Sequence, residues 1–103
     1  MGTLPISTAK VPEFCRRWKV AELSLFGSVL RPDFGPESDV DVLVAFLPGA
    51  AWSLLDHIQM QEELASLLAR PVDLISRRAV ERSDNRIRRR AILESAQVIY
   101  ASR

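Results

Sequence analysis

Two groups of residues with complementary chemistry lie near the middle of the chain. Gly27 and Ser28 form a Gly-Ser pair after a short apolar run, and ten residues separate this pair from Asp39 and Asp41, which form an Asp-x-Asp pattern. Chemistry on a nucleoside triphosphate needs donors for the phosphate oxygens and nearby carboxylates that hold magnesium. The spacing therefore indicates phosphoryl chemistry on a nucleotide.

The carboxylates are predicted to share one face of a strand. Alternate residues of a strand point to the same side and lie about 6–7 Å apart, so Asp39 and Asp41 project together. Like charges this close repel unless a cation or a proton intervenes. Asp73 is a third carboxylate, in the otherwise apolar run Val-Asp-Leu-Ile. If this run lies beside the strand of Asp39 and Asp41, the three carboxylates are predicted to form a magnesium site. Without that neighbouring strand, Asp39 and Asp41 could equally cap a loop-to-strand junction.

The Gly-Ser pair is predicted to bind phosphate. Gly27 allows the backbone to approach an anion closely, and the start of a helical turn presents free N–H groups to it. The hydroxyl of Ser28 adds a donor, and Arg31, one turn further on, could reach a phosphate oxygen. The alternatives are that Ser28 is only a helix N-cap and that Arg31 only forms a surface ion pair with Asp33 or Glu37.

The elements that position these residues alternate along the chain. A first helix is predicted over residues 8–21, capped by Ser7 or Thr8 and with Pro12 in its first turn. A helical turn follows the first strand, Pro32 limits it, and residues 33–38 form a loop. The second strand is apolar on both faces beyond Asp41, as in a covered central strand. Short strands are predicted over residues 22–26, 39–46, 72–75 and 97–101.

Two further helices complete the predicted fold. The first covers residues 52–69 and is amphipathic, and the second covers residues 84–96 with Asp84 as its cap. The order of helices and strands predicts an α/β (α+β) sandwich around a small mixed β-sheet flanked by helices. For residues 52–69, the predicted core side is Leu54, Leu55, Ile58, Ala65 and Leu68, and the predicted solvent side is Asp56, Gln59, Glu63 and Ser66.

Composition limits the class of protein. With 103 residues the chain is expected to be a single domain over 1–103. A net charge of +1 gives no bulk electrostatic argument for binding nucleic acid. The one cysteine, Cys15, cannot form an internal disulfide, no apolar run is long enough to span a membrane, and no signal-peptide pattern is present. A soluble, cytoplasmic protein without membrane or direct nucleic-acid partners is predicted.

Outside the candidate site, one charged run stands out. Arg86, Arg88, Arg89 and Arg90 form a basic cluster in the last predicted helix. Such a run is usually a solvated helix face; the alternative is a docking surface for an acidic partner or for RNA. His57 lies at the edge of the predicted apolar arc and is expected to be structural rather than catalytic.

The combined pattern closely resembles a known family. A Gly-Ser pair, ten residues, Asp-x-Asp and a later Val-Asp-Leu-Ile strand resemble the nucleotidyltransferases of the polymerase-β superfamily, and more narrowly the minimal nucleotidyltransferase (MNT) antitoxins paired with HEPN toxins. The resemblance covers nearly the whole chain, including FGSVLRPDFGPESDVDVLV, PVDLI and RRRAILESAQVIY. It implies a polymerase-β-like fold, catalytic Asp39, Asp41 and Asp73 that bind Mg²⁺, and Gly27 and Ser28 holding the ATP triphosphate.

The resemblance also implies an activity and a partner. The expected function is a Mg²⁺-dependent protein adenylyltransferase, an antitoxin that transfers AMP from ATP to a tyrosine of a HEPN ribonuclease toxin within a hetero-oligomeric complex, and so silences it. Two alternatives stay open: a non-catalytic antitoxin that occludes the toxin, and nucleotidyl transfer to a small molecule. Three convergent carboxylates favour the enzyme, and the lack of a second domain to hold a small acceptor argues against the last alternative.

Overall fold

A four-stranded mixed sheet organises the described chain. The computed structural model describes residues 8–30 and 38–102, apart from the side chains of residues 28 and 29. The strand order is β3-β2-β1-β4, in which β1 is antiparallel to both of its neighbours and β2 is parallel to β3. The strands are β1 (Val20–Phe26), β2 (Val40–Phe46), β3 (Val72–Ser76) and β4 (Gln97–Ala101). The predicted mixed sheet flanked by helices is confirmed.

Helices cover both faces of this sheet. Helices α1 (Val11–Arg17) and α2 (Leu54–Leu68) pack on one face. Helices α3 (Arg77–Glu81) and α4 (Arg86–Ser95) pack on the other face, through Val80 and Ile92. Strand β2 supplies both cores, as its apolar sequence predicted, because alternate residues of a strand face opposite sides. Within the described ranges, no helix is long and apolar enough to cross a membrane.

The first helix is shorter than predicted. It ends at Arg17, and Trp18 is its C-cap, whereas the prediction continued it to residue 21. Val20 instead pairs with Phe46 in the sheet, and the backbone turns at Lys19, whose φ is 55°. Pairing in the sheet therefore overrides helical propensity for these residues.

The predicted cap of the first helix is also wrong. The N-cap is Lys10, which makes no capping bond from its side chain, and Pro12 lies in the first turn as predicted. Thr8 contributes through its backbone carbonyl, which accepts a hydrogen bond from Val11 N at 3.2 Å. Ser7, the other predicted cap, lies outside the described residues.

The predicted core face of α2 is wrong at its N-terminal half. The buried residues are Met60, Leu64 and Leu68, whereas Leu54 and Leu55 are 74% and 77% exposed. The predicted core residue Ile58 is also exposed. His57 and Gln61 occupy part of the packed face instead, because both form hydrogen bonds with the backbone of β3 at the edge of the sheet.

The end of the chain contains one more helix than predicted. Residues 77–81 form α3, which begins where the Ser76 hydroxyl accepts a hydrogen bond from Ala79 N at 3.1 Å. Helix α4 is capped by Asn85, whose Oδ1 accepts from Arg88 N at 3.0 Å, and not by Asp84 as predicted. The signal for α3 was present in the sequence as a serine followed by a short helix-forming run.

Candidate active site

The strand register places two of the candidate aspartates side by side. In the parallel β2–β3 pair, Asp41 is the direct partner of Asp73, so their backbones are about 5 Å apart and their side chains share a face. Asp39 is exposed and lies one residue before β2, where Val40 N already donates to Pro71 O at 2.9 Å. The prediction that the strand of Asp73 lies beside the Asp-x-Asp strand is confirmed.

These carboxylates lie at one end of the sheet face that α3 and α4 cover, beyond the part that the two helices pack against. Two residues further along each strand, Leu43 and Ile75 lie on the same face and pack in the core under α3 and α4. Asp73 is exposed and Asp41 is half-buried. The carboxylates therefore meet solvent where the cover of helices ends, and a charged substrate can approach there without crossing apolar protein.

Gly27 is in direct contact with the Asp41 carboxylate. Phe26, the last residue of β1, pairs with Asp41, and the next residue, Gly27, has a φ of +73°. A Cβ added to Gly27 would lie 2.3 Å from Asp41 Oδ2 and 3.2 Å from its Cγ. A side chain at this position would strain the backbone and would force the Asp41 carboxylate to move, so glycine is favoured here on both grounds. The Gly-Ser pattern predicted a role for Gly27, but as space for a phosphate rather than for a carboxylate.

The remaining predicted phosphate ligands are described only in part. Ser28 lies in a 3₁₀ turn, Gly27–Leu30, where the sequence predicted a helical turn. The side chain of Ser28 and the whole of Arg31 lie outside the described parts of the structure. Their contact with a nucleotide stays a prediction.

The donor set at this end of the sheet fits magnesium in its chemistry. Oxygen from carboxylates is the ligand that Mg²⁺ prefers, with further oxygens from a substrate phosphate. The parallel register pairs Asp41 with Asp73, so two such carboxylates lie on neighbouring strands, and Gly27 leaves the space that the Asp41 carboxylate occupies. Within residues 8–30 and 38–102, no three acidic, histidine or cysteine side chains are already arranged around a common metal position. Joint binding of metal by Asp39, Asp41 and Asp73 stays a prediction.

Helix α2 braces the strand that carries Asp73. His57 Nε2 lies 2.7 Å from Leu74 O, and Gln61 Oε1 accepts from Leu74 N at 2.9 Å. A carbonyl oxygen can only accept, so Nε2 of His57 carries the proton. The backbone N–H and C=O of Leu74, the residue after Asp73, therefore both have hydrogen-bond partners at the free edge of β3. This role agrees with the prediction that His57 is structural, whereas no local pattern indicated a role for Gln61.

Comparison of the sequence with known families decides the affiliation. Residues 10–99 match the nucleotidyltransferase domain. The chain belongs to this nucleotidyltransferase family. Among its relatives is the protein adenylyltransferase MntA of Thermococcus cleftensis, which is 38% identical over 78 residues, covering 74% of this chain and 75% of that protein.

Solved structures show that this nucleotidyltransferase shares its fold with chains found in toxin–antitoxin complexes. A toxin–antitoxin crystal structure with AMP-PNP superposes with a TM-score of 0.69 at 21% identity, over 91% of this chain and 73% of that chain. The complex of a tri-AMPylated Shewanella oneidensis HEPN toxin with its MNT antitoxin gives a TM-score of 0.60 at 21% identity, over 90% of this chain and 68% of that chain. The polymerase-β-like fold implied by the sequence is confirmed.

Proposed function

We propose that this nucleotidyltransferase is an antitoxin that transfers AMP from ATP to a tyrosine hydroxyl of a HEPN ribonuclease toxin. The observation that carries the proposal is the pairing of Asp41 with Asp73 beside Gly27, in a chain 38% identical to a protein adenylyltransferase. The AMPylated HEPN toxin bound to an antitoxin of the same fold supports the choice of acceptor. A cytoplasmic location and a hetero-oligomeric complex with the toxin are parts of the same proposal.

The proposed residues divide into a leaving-group side and an acceptor side. Gly27, Ser28 and Arg31 bind the triphosphate, Asp39 and Asp41 hold Mg²⁺ next to it, and Asp73 faces the incoming hydroxyl. Bound Mg²⁺ neutralises charge on the phosphates and lowers the pKa of the attacking hydroxyl. The exposed position of Asp73 on β3, the outermost strand of the sheet on that side, leaves room for a hydroxyl that belongs to another protein.

The transfer is a single in-line displacement. The tyrosine oxygen forms a bond to the α-phosphorus while the bond from that phosphorus to the bridging oxygen breaks, and pyrophosphate leaves. A phenol has a pKa of about 10 and is a weak nucleophile while it is protonated. Asp73 accepts its proton, acting as the general base. The phosphodiester left on the toxin places negative charge where an RNA phosphate would bind, so it opposes ribonuclease activity.

A substoichiometric titration separates this proposal from simple occlusion. The toxin is incubated with Mg²⁺, ATP and about one-fiftieth of its molar amount of this protein, and its ribonuclease activity is followed with time. A catalyst turns over, so we expect activity to fall nearly to zero; omission of ATP is the control. A loss of activity that never exceeds the molar fraction of added protein, with or without ATP, would support an occluding antitoxin instead.

A further inference from the structure

A pocket lies next to the candidate aspartates on the same face of the sheet. It occupies about 180 Å³ between α3 and α4, and its apolar lining includes Ile75, Val80 and Ile92. Ile75 follows Asp73 by two residues, so the two side chains project from the same face about 7 Å apart. The pocket therefore begins within one side-chain length of the carboxylate that faces the incoming hydroxyl.

The rim of the pocket carries two arginines in different states. Arg89 is fixed, because its Nη1 donates to Glu81 O at 3.2 Å and to Ser83 O at 3.3 Å. Arg88 is exposed, and within the described ranges its guanidinium makes no ion pair with an acidic side chain. Arg90, by contrast, lies outside the pocket lining and pairs with Glu94 at 3.1 Å. Arg88 is thus the cation at the rim that is open to a partner.

The chain segment around the pocket is predominantly positively charged, as Arg88 is. Residues 77–90 contain seven of the fourteen Lys and Arg residues of the chain and only two acidic residues, Glu81 and Asp84. A concentration of one sign attracts a segment of the opposite sign and orients it before contact.

The order of the strands assigns the pocket to the acceptor rather than to the nucleotide. Gly27 follows β1, whereas the pocket lies against β3, on the other side of β2 and Asp41. In an in-line displacement the attacking and leaving oxygens lie on opposite sides of the phosphorus. With pyrophosphate held on the β1 side, the acceptor must approach from the β3 side.

We propose that this pocket is the acceptor subsite. An apolar side chain next to the acceptor tyrosine enters it over Ile75, and an acidic residue of the same segment pairs with Arg88. The acceptor segment of the partner therefore carries one acidic residue that reaches Arg88 and a large apolar side chain that fills the pocket. This inference rests on the proposed adenylyltransferase function and adds to it the surface that selects the acceptor.

Two variants, Arg88→Glu and Arg86→Glu, test the inference. For each, the KM for the partner HEPN toxin is measured in steady-state AMP transfer with Mg²⁺ and saturating ATP. Both substitutions make the same change of charge in the same helix, but Arg86 does not line the pocket. We expect Arg88→Glu to raise the KM for toxin by about tenfold or more, because an attraction between charged groups becomes a repulsion. Arg86→Glu should change the KM much less, and the Kd for Mg·ATP, measured by calorimetry, should stay that of the wild type in both.

A second variant tests the apolar part of the pocket. Ala79 is exposed and lines the pocket, so Ala79→Phe fills the opening without disturbing the core, as its thermal melting should verify. We expect the same rise in KM for toxin with unchanged binding of Mg·ATP.

Three results would overturn the subsite: an unchanged KM in Arg88→Glu, an equal effect of Arg86→Glu, or weakened Mg·ATP binding in either pocket variant. An equal effect would mean diffuse attraction of any polyanion, including RNA. Weaker nucleotide binding would assign the pocket to ATP. Failure of the wild type to transfer AMP would instead overturn the proposed function, so the two failures are distinguishable.

Discussion

Gly27 and Asp41 lie so close together that a Cβ on the glycine would overlap the Asp41 carboxylate. The position of a Cβ on Gly27 is 2.3 Å from Asp41 Oδ2, far inside the contact distance of two atoms that are not bonded. Asp41 also pairs with Asp73 across the parallel strands, so the backbone at Gly27 limits where the Asp41 carboxylate can lie beside Asp73. A residue assigned to phosphate binding therefore also shapes the candidate metal site.

This contact predicts a large loss of activity in Gly27→Ala, for which Gly49→Ala is the matched control. Both glycines have a positive φ, +73° and +88°, but a Cβ on Gly49 would have no atom within 4 Å. Each substitution should lower the free energy of unfolding by about 1–2 kcal/mol through backbone strain. Only Gly27→Ala displaces the carboxylate, so its rate of AMP transfer should fall by about a hundredfold or more.

Urea denaturation and the initial rate of transfer, measured on both variants, check this prediction. Equal activities of the two variants would show that Asp41 can move without consequence, and the proposed role of the contact would be wrong.

A second prediction concerns Glu63, which the sequence placed on the solvent side of α2. Its carboxylate forms an ion pair with Arg17, accepts a hydrogen bond from Trp18 Nε1 at 3.4 Å, and has a buried Oε2. It thereby links α2 to the end of α1. We expect Glu63→Ala to lower the free energy of unfolding by about 1–3 kcal/mol, because it leaves a half-buried indole N–H without its partner.

The neighbouring exposed residue provides the control. Glu62→Ala should change the free energy of unfolding by no more than about 0.5 kcal/mol. Indistinguishable urea midpoints for the Glu62 and Glu63 variants would contradict a stabilising role for this link.

The buried thiol of Cys15 predicts a dependence of stability on alkaline pH. Burial raises its pKa from 9.0 to about 12, against a smaller lowering by Arg16. The unfolded chain therefore releases this proton at lower pH than the native protein does. The contribution to stability is complete below pH 9 and is lost as pH rises toward 12, by about 1 kcal/mol per pH unit.

Comparison with Cys15→Ala isolates this contribution from other groups that titrate at alkaline pH. Between pH 8 and 10.5, the free energy of unfolding of the wild type should fall more steeply than that of Cys15→Ala above pH 9. Parallel pH profiles would show that the thiol ionises equally easily in the native and unfolded chains.

Local patterns in the sequence were sufficient for the mixed sheet and for the neighbouring strands of Asp41 and Asp73. The apolar run after Asp41 predicted a strand covered on both faces, and β2 is that strand. The isolated aspartate in Val-Asp-Leu-Ile predicted a neighbouring strand, and Asp73 pairs with Asp41. These patterns are reliable because burial on both faces of a strand requires nearly every residue of a short segment to be apolar.

Local sequence patterns did not predict the features that depend on contacts between residues distant in the chain. His57 and Gln61 lie on the packed side of α2 because Leu74 offers them backbone partners, and no local periodicity contains that information. The same helix leaves Leu54 and Leu55 exposed, so hydrophobicity alone selected the wrong face for the N-terminal half of this helix. The contact of Gly27 with Asp41 is likewise a product of the antiparallel pairing of β1 and β2, and a Gly-Ser motif does not reveal it.

The intact mass of the partner HEPN toxin, measured after incubation with this protein, ATP and Mg²⁺, tests the central claim most directly. Wild-type protein should add one or more AMP units to the toxin, and replacement of a single toxin tyrosine should abolish each addition. Asp41→Asn and Asp73→Asn, which keep the shape of each side chain and remove its charge, should add none while still folding. A toxin of unchanged mass that is nevertheless inhibited in a stoichiometric complex with the wild type would contradict the adenylyltransferase account.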